Sequence, residues 1–351
     1  VDVGTGDATA VLTESVSGDL YLRQADDDTT AGLLIGSSST EDIGATGDKR
    51  AFYDVTKGAF RAGEATGAEW DDSNRGVNSS AWGIDCTASG ARSTAGGNSS
   101  DAGGDDAVSL GVSNDVAANE SFTLGKSNTF ASGATESTAV GTSNTLNDLR
   151  CHALGRGNTL GDDNNVIVGN NNTSNVGATS AMAFGVSNTL TAANSMARGR
   201  LAKADIAGCE AFSSGMQTVV GDRQAYSATM YATTTTAAAA ELRIDGVADR
   251  ITLPNSSALT GSVHVAAYVT GGTGGNANKA WGATCTFTVI CNAAGTMAVV
   301  GDPWTNNDIY ALGYVAALDV TTANVLRVNI SGGGSDDVSW SASLNAVIVK
   351  T

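Results

Sequence analysis

Two histidines, five cysteines and a scatter of paired aspartates are the side chains of this sequence with the types to do chemistry. A nucleophilic triad or a metal site needs several such groups converging on one point. His152 and His264 have no cysteine or aspartate at a spacing that would complete either. His152 reads as a packed residue of a repeat, and His264 as a strand residue. Glycoside cleavage needs two carboxylates facing each other across a cleft. The pairs Asp105-Asp106, Asp162-Asp163 and Asp336-Asp337 are sequence neighbours on turns, which do not give that geometry. The glycine-rich run "TGGTGGNANKA" (270–280) lacks the G-K-[ST] ending of a phosphate loop. No catalytic residue, cofactor or metal site is therefore assigned, and the chain is expected to be non-enzymatic. Asp26-Asp27-Asp28 reads as a solvated turn, with calcium as a weak alternative because the spaced ligand pattern is absent.

The cysteines Cys86, Cys151, Cys209, Cys285 and Cys291 are odd in number and contain no C-x-x-C. Cys285 and Cys291 close the strand-like "CTFTVIC" and would stand about 20 Å apart, too far for a disulfide. All five read as small buried residues or free thiols.

Recognition is the better expectation. The segments 270–281 and 302–310 hold Asn276, Asn278, Trp281, Trp304, Asn306, Asn307 and Tyr310. Aromatic faces beside amides suit sugar rings; the alternative is that both tryptophans fill a core.

The elements that must position these residues are unusual. The chain has 44 glycines but 2 prolines, aromatic residues make up 5 %, and apolar residues make up 41 %. Scarce proline and apolar residues that fall in register argue against disorder. A formal charge of −17 removes the basic surface that phosphate binding requires, so nucleic acid is not a partner. The acidic balance suits saline surroundings or simple solubility. No apolar run approaches the ~20 residues of a membrane helix. No secretory signal is legible, and a start at Val1 reads as a processed chain or a fragment.

A pentapeptide ending in glycine recurs ten times, at Gly83, Gly97, Gly111, Gly125, Gly141, Gly155, Gly169, Gly185, Gly199 and Gly215, in steps of 14 or 16. Even steps preserve the in/out parity of a strand. This period is too short for a pair of helices. It fits one coil of two short strands and two tight turns, stacked about 4.8 Å from the next, so that ten coils span about 50 Å. Bulky residues occupy the position three before the glycine (Val108, Phe122, His152, Phe212) and one before it (Trp82, Leu124, Leu154). Small residues (Ala81, Ala139, Ala153) take the alternate face. Both faces are expected to be buried. A single roll this thin buries little against its ordering entropy, and three copies sharing an axis would complete the core. An asparagine column at glycine plus three (Asn114, Asn128, Asn144, Asn158, Asn172, Asn188) reads as a hydrogen-bonded amide ladder, or alternatively as a glycan-binding stripe.

The S-x-A-x-G phrases at a period of about 14 resemble the head repeats of trimeric autotransporter adhesins, which also occur in bacteriophage tail fibres. The entry "KGAFRAG" (57–63), Trp70-Asp71 and Asn74 resembles the start of such repeats in phage fibre proteins. "GDRQ" (221–224), "ELRIDG" (241–246) and "RITLPNSS" (250–257) resemble a C-terminal domain of phage tail fibres. The resemblance implies a left-handed parallel β-roll trimer. It departs from a complete adhesin in having neither a coiled-coil stalk nor a C-terminal membrane barrel.

The expected fold is therefore all-β: a trimeric parallel β-roll of about ten 14–16-residue coils, then an antiparallel β-sandwich or jelly roll. Residues 1–75 form a β-rich connecting region with strand-like "TAVLTES", "DLYLRQ" and "GLLIGSS". Residues 76–217 form the rod, and 218–351 the sandwich, whose longer strands alternate in Val263, Val265 and Val269 and in Leu326, Val328 and Ile330. The expected function is a non-enzymatic, homotrimeric tail fibre or spike of a phage virion. Its N-terminal region would join other tail or virion proteins, and its distal domain would contact a host-surface glycan or protein. The alternatives are the head fragment of a bacterial surface adhesin and a polysaccharide-depolymerising tailspike.

Overall fold

The computed structural model describes residues 10–14, 20–24, 48–54, 56–301 and 303–350. Asp26-Asp27-Asp28 and "GLLIGSS" lie outside them. The described residues are all-β apart from one short 3-10 turn at Asp72–Asn74: a parallel solenoid of about ten turns, then antiparallel sheets. Contacts divide the chain into two units, 1–167 and 168–351.

In the first unit Ala10–Glu14 pairs antiparallel with Leu20–Gln24, and Asp48–Asp54 with Ala59–Ala65. Ala59–Ala65 then runs parallel to Ser80–Ile84 with Gly63 opposite Gly83, so the coil register begins one strand earlier than the first repeated phrase. Trp70 is fully buried edge-on to Phe52, its indole N–H bonded to the Cys86 carbonyl at 3.1 Å. The buried Arg61 guanidinium donates to the carbonyls of Phe60 and Ala88 and to the Ser79 hydroxyl at this end of the solenoid. Burial and the neighbouring Arg75 bring its pKa down to about 10, and Asp54 opposes that shift.

Each coil has a five-residue strand, such as Val108–Val112, and a two-residue strand, such as Asp115–Val116. Successive glycines pair in register from Gly83 to Gly155. The coils approach so closely that a Cβ on Gly141, at φ 132°, would lie 1.9 Å from the Gly155 carbonyl oxygen. The step of 16 between Gly125 and Gly141 is absorbed in a turn, where Ala134 N–H bonds the Ala131 carbonyl and Thr135 N–H that of Gly133. The strands on either side keep their parity.

The interior is narrow. Val116, Phe130, Leu146 and Leu160 from the short strands meet Ala139 and Ala153 from the long ones. Within one chain, only one of the two faces expected to be buried is covered. The small-residue face points inward, where Ala139 and Ala153 are fully or nearly buried and Ile167 takes the same column. The bulky columns point outward, with Trp82 42 %, Leu124 46 % and Leu154 52 % exposed. His152 sits exposed on that outer face rather than packed.

In the second unit Gly185 pairs with Gly199, but Gly199 pairs with Ser213, not Gly215. The last step is thus 14 rather than 16, and Phe212 belongs one residue before the glycine position, beside Arg198. Coil winding stops here. Glu210–Ser213 pairs antiparallel with Arg223–Thr234, whose approach is fixed by Asp222, a carboxylate that accepts from the N–H groups of Gln217, Thr218 and Val219. Those bonds, that from Thr218 foremost, hold its pKa down to about 2.

The sheet continues through Asp336–Lys350, Ser257–Gly272 and Ala280–Cys291. Met297–Val300 and Trp304–Asn307 both pair with Ala280–Cys291 at its far edge. A smaller sheet of Ala240–Leu242, Ile251–Thr252, Val315–Asp319 and Val325–Ser331 covers its inner face. There Ile251 and Leu253 meet Leu259, Leu344 and Ile348.

Candidate functional site

The amide column occupies the solenoid interior. Asn128 Nδ2 donates to Asn114 Oδ1 at 3.1 Å and to the Gly141 carbonyl at 3.0 Å. Asn144 repeats this with Asn128 and Gly155, and Asn158 donates to Asn144 at 3.0 Å. In the second unit the Asn188 backbone N–H bonds Asn172 Oδ1 at 2.9 Å, and its Nδ2 bonds the Gly199 carbonyl. These amides are buried, which keeps them from any ligand.

The residues expected to bind a receptor are only partly brought together. Trp281 is buried against Trp340, ring centroids 5.8 Å apart, and against Tyr314 at 6.3 Å, so it builds the sandwich core. Trp304 is half-buried opposite Cys285. Asn306 and Asn307 are exposed on the same edge strand. Asn276 and Tyr310 converge through Lys279, whose ammonium donates to Asn276 Oδ1 at 2.6 Å and lies 5.9 Å from the Tyr310 ring centre. Asn276 donates in turn to the buried Asp336 at 3.1 Å, and the Tyr314 hydroxyl does so at 2.8 Å. Burial, and then this bond to a carboxylate, pushes the Tyr314 pKa up. Asn278 turns away and accepts from the Tyr268 hydroxyl at 2.9 Å. The result is a polar patch joining two loops, with Tyr310 and Ile309 exposed at its tip.

The sequence-adjacent aspartates do not face one another across a cleft. Asp105 accepts the Ala91 N–H, and Asp106 takes Arg92 in a two-pronged pair at 2.6 Å. Asp336 is buried and Asp337 half-exposed. Two arrangements escaped the sequence reading because the partners come from successive coils. Asp148 joins Asp162 and Asp163, with ligand atoms within 4.8 Å. Its hydrogen bond raises the Asp163 pKa, followed by desolvation and further repulsion from the same carboxylate. Asp101 pairs in register with Asp115. Burial, and then Asp115, raises Asp101 to about 6. A step of 14 between two aspartates was the signal, and it lies outside the glycine phrase.

The cysteines are five buried free thiols. Desolvation pushes Cys151 up to about 11, so it is not a nucleophile.

No protein-family model and no curated protein matches the chain. The solved structures that align with it include three tailspikes. The tailspike protein gp49 of Acinetobacter baumannii bacteriophage Fri1, described as a capsular polysaccharide depolymerase, matches at 7 % identity and a TM-score of 0.22, over 77 % of this chain and 57 % of its own. The tailspike of Acinetobacter baumannii phage AM24 matches at 9 % and 0.21, over 82 % and 58 %. The tailspike of Acinetobacter phage vB_ApiP_P1 matches at 11 % and 0.22, over 93 % and 60 %. The chain thus spans less than two thirds of each. The first description overturns the reading of the chain as non-enzymatic, and that reading is withdrawn. At these scores no residue correspondence follows.

Proposed function

We propose that the chain is a bacteriophage tail attachment protein. Three copies associate along the outward columns of the solenoid, the N-terminal region joins other tail or virion proteins, and the sandwich meets the host surface. One observation carries this reading: the apolar side chains of Leu110, Leu124, Val140 and Leu154 stand in register on the outer face of successive coils. Apolar area left in water costs about 25 cal/mol per Å², and a parallel neighbour of the same repeat offers a matching ridge. Light scattering tests it. Three copies of a 35.1 kDa chain weigh about 105 kDa (3 × 35.1), and a monodisperse 35.1 kDa species would overturn the reading. Antibody labelling of phage particles separates a tail location from the surface-adhesin alternative.

A second reading, polysaccharide cleavage, is favoured by Asp101 and Asp115. Adjacent coils set the two backbones about 4.8 Å apart, and a retaining glycosidase needs carboxyl groups about 5 Å apart. The one protonated near pH 6 has the role of acid, the other that of nucleophile. Release of reducing ends from capsular polysaccharide, abolished in Asp101→Asn and Asp115→Asn, is the expected result. Unchanged release in both variants would remove this pair.

A further inference from the structure

In the second unit the outer face of the sheet changes character. On the coils it carries Met182 and Phe184. Then comes an ion pair, Arg198 with Glu210, the guanidinium lying 5.2 Å from the Phe212 ring centre. Beyond the antiparallel seam the same face is covered by hydroxyls.

The register makes this explicit. Ser227, Asn345, Ser262 and Thr286 form one row across four strands, and Thr229, Ser343, His264 and Thr284 form the next. His264 bridges the two rows, its Nδ1 3.2 Å from the Thr284 hydroxyl and its Nε2 3.4 Å from that of Ser262. Five rows of four, from Ala225–Val347–Thr260–Thr288 to Thr233–Ser339–Tyr268–Ala280, hold no aspartate or glutamate. The chain has 36 acids, so this face lacks the repulsion an anionic polymer meets elsewhere. Where it meets the last coil it forms an open groove of about 530 Å³, with Phe212 and the Arg198–Glu210 pair as one wall and Ser262, Thr286 and Asn345 on the floor.

We infer that this groove and the hydroxyl face behind it bind an acidic polysaccharide in extended form, a subsite separate from the loops 270–281 and 302–310. The inference rests on the attachment reading. A sugar chain gives hydroxyls and amides hydrogen-bonding partners in kind, and Phe212 supplies an apolar plane for a ring. A second copy of the chain fits less well. It would bury these hydroxyls against hydroxyls fixed on a rigid sheet, and unpaired polar groups are costly to bury.

The test uses the full chain on an array of purified bacterial capsular polysaccharides, acidic and neutral, with light scattering of the same samples. Wild type is expected to bind at least one acidic polysaccharide. Ser262→Glu and Thr286→Glu, both at the sheet surface, should weaken that binding at least tenfold, whereas Ser262→Lys should keep it. Circular dichroism identifies a variant that fails to fold, in which case Thr284→Glu takes its place with the same expectation. Equal binding by the glutamate variants and wild type overturns the subsite and leaves the attachment reading standing. Loss of the oligomer in those variants also overturns it, since the face would then join copies. Binding to neutral polysaccharides alone overturns the acidic assignment. No binding by a trimeric wild type overturns the subsite, and a monomeric wild type overturns the attachment reading as well.

Discussion

At the scale of single residues, asparagine and glycine do what larger side chains do in an ordinary core. Asn144 donates to Asn128 and to the Gly155 carbonyl, and its own oxygen receives both the backbone N–H and the side-chain amide of Asn158. Asn144→Ala breaks all four bonds, while the backbone N–H at this position keeps its bond to Asn128 Oδ1 at 3.1 Å. A loss of about 3 kcal/mol is expected in chemical denaturation. Gly141→Ala should cost at least as much, roughly 3 kcal/mol or more, since it adds a clash with the Gly155 carbonyl to an unfavourable φ. The asparagine column and the glycine phrase were legible because both recur at fixed spacing. Asp101 was not, since its chemistry depends on the Asp115 one coil away. Its pKa is raised, so the folded protein holds this proton more tightly than the unfolded chain does. That contribution is full below pH ~4 and lost as pH rises through about 6. Asp101→Asn should therefore stabilise the protein above pH 6, by about 1 kcal/mol after allowance for the solvent reaching this half-exposed group, and bring no gain below pH 4. Thermal melts across that range check it.

At the scale of elements, the outer columns are the feature the sequence showed but did not orient. Alternation tells which residues share a face, not which face is inside. The structure decides that: Ala139, Ala153 and Ile167 face inward, and Val140 and Leu154 face outward. The same ambiguity misplaced Phe212, whose column is set by the pairing of Gly199 with Ser213. If the bulky columns join copies, Leu124→Asp and Leu154→Asp should leave each coil folded, since both side chains lie outside the interior. Sedimentation should show the trimer giving way to monomers. A folded variant that stays trimeric would place the contact elsewhere.

At the scale of the whole molecule, two constructions are legible in the sequence for different reasons. The solenoid announces itself by period, and the sandwich by long alternating strands. Their joint was not legible, because Glu210–Ser213 still belongs to the repeat while its partner Arg223–Thr234 reverses direction. The aromatic core of the sandwich drew Trp281 from a segment expected to bind a receptor. Tertiary burial claimed it.

The equal pairing of one coil with the next has a consequence for size. Excising residues 112–125 would bring Asn128 to the third place after Gly111 and hand every column on without a phase error. Such a shortened protein should still melt cooperatively, as seen by calorimetry. Reach is thus graduated in steps of one turn, and the gene can be lengthened or trimmed like a ruler cut only at its marks.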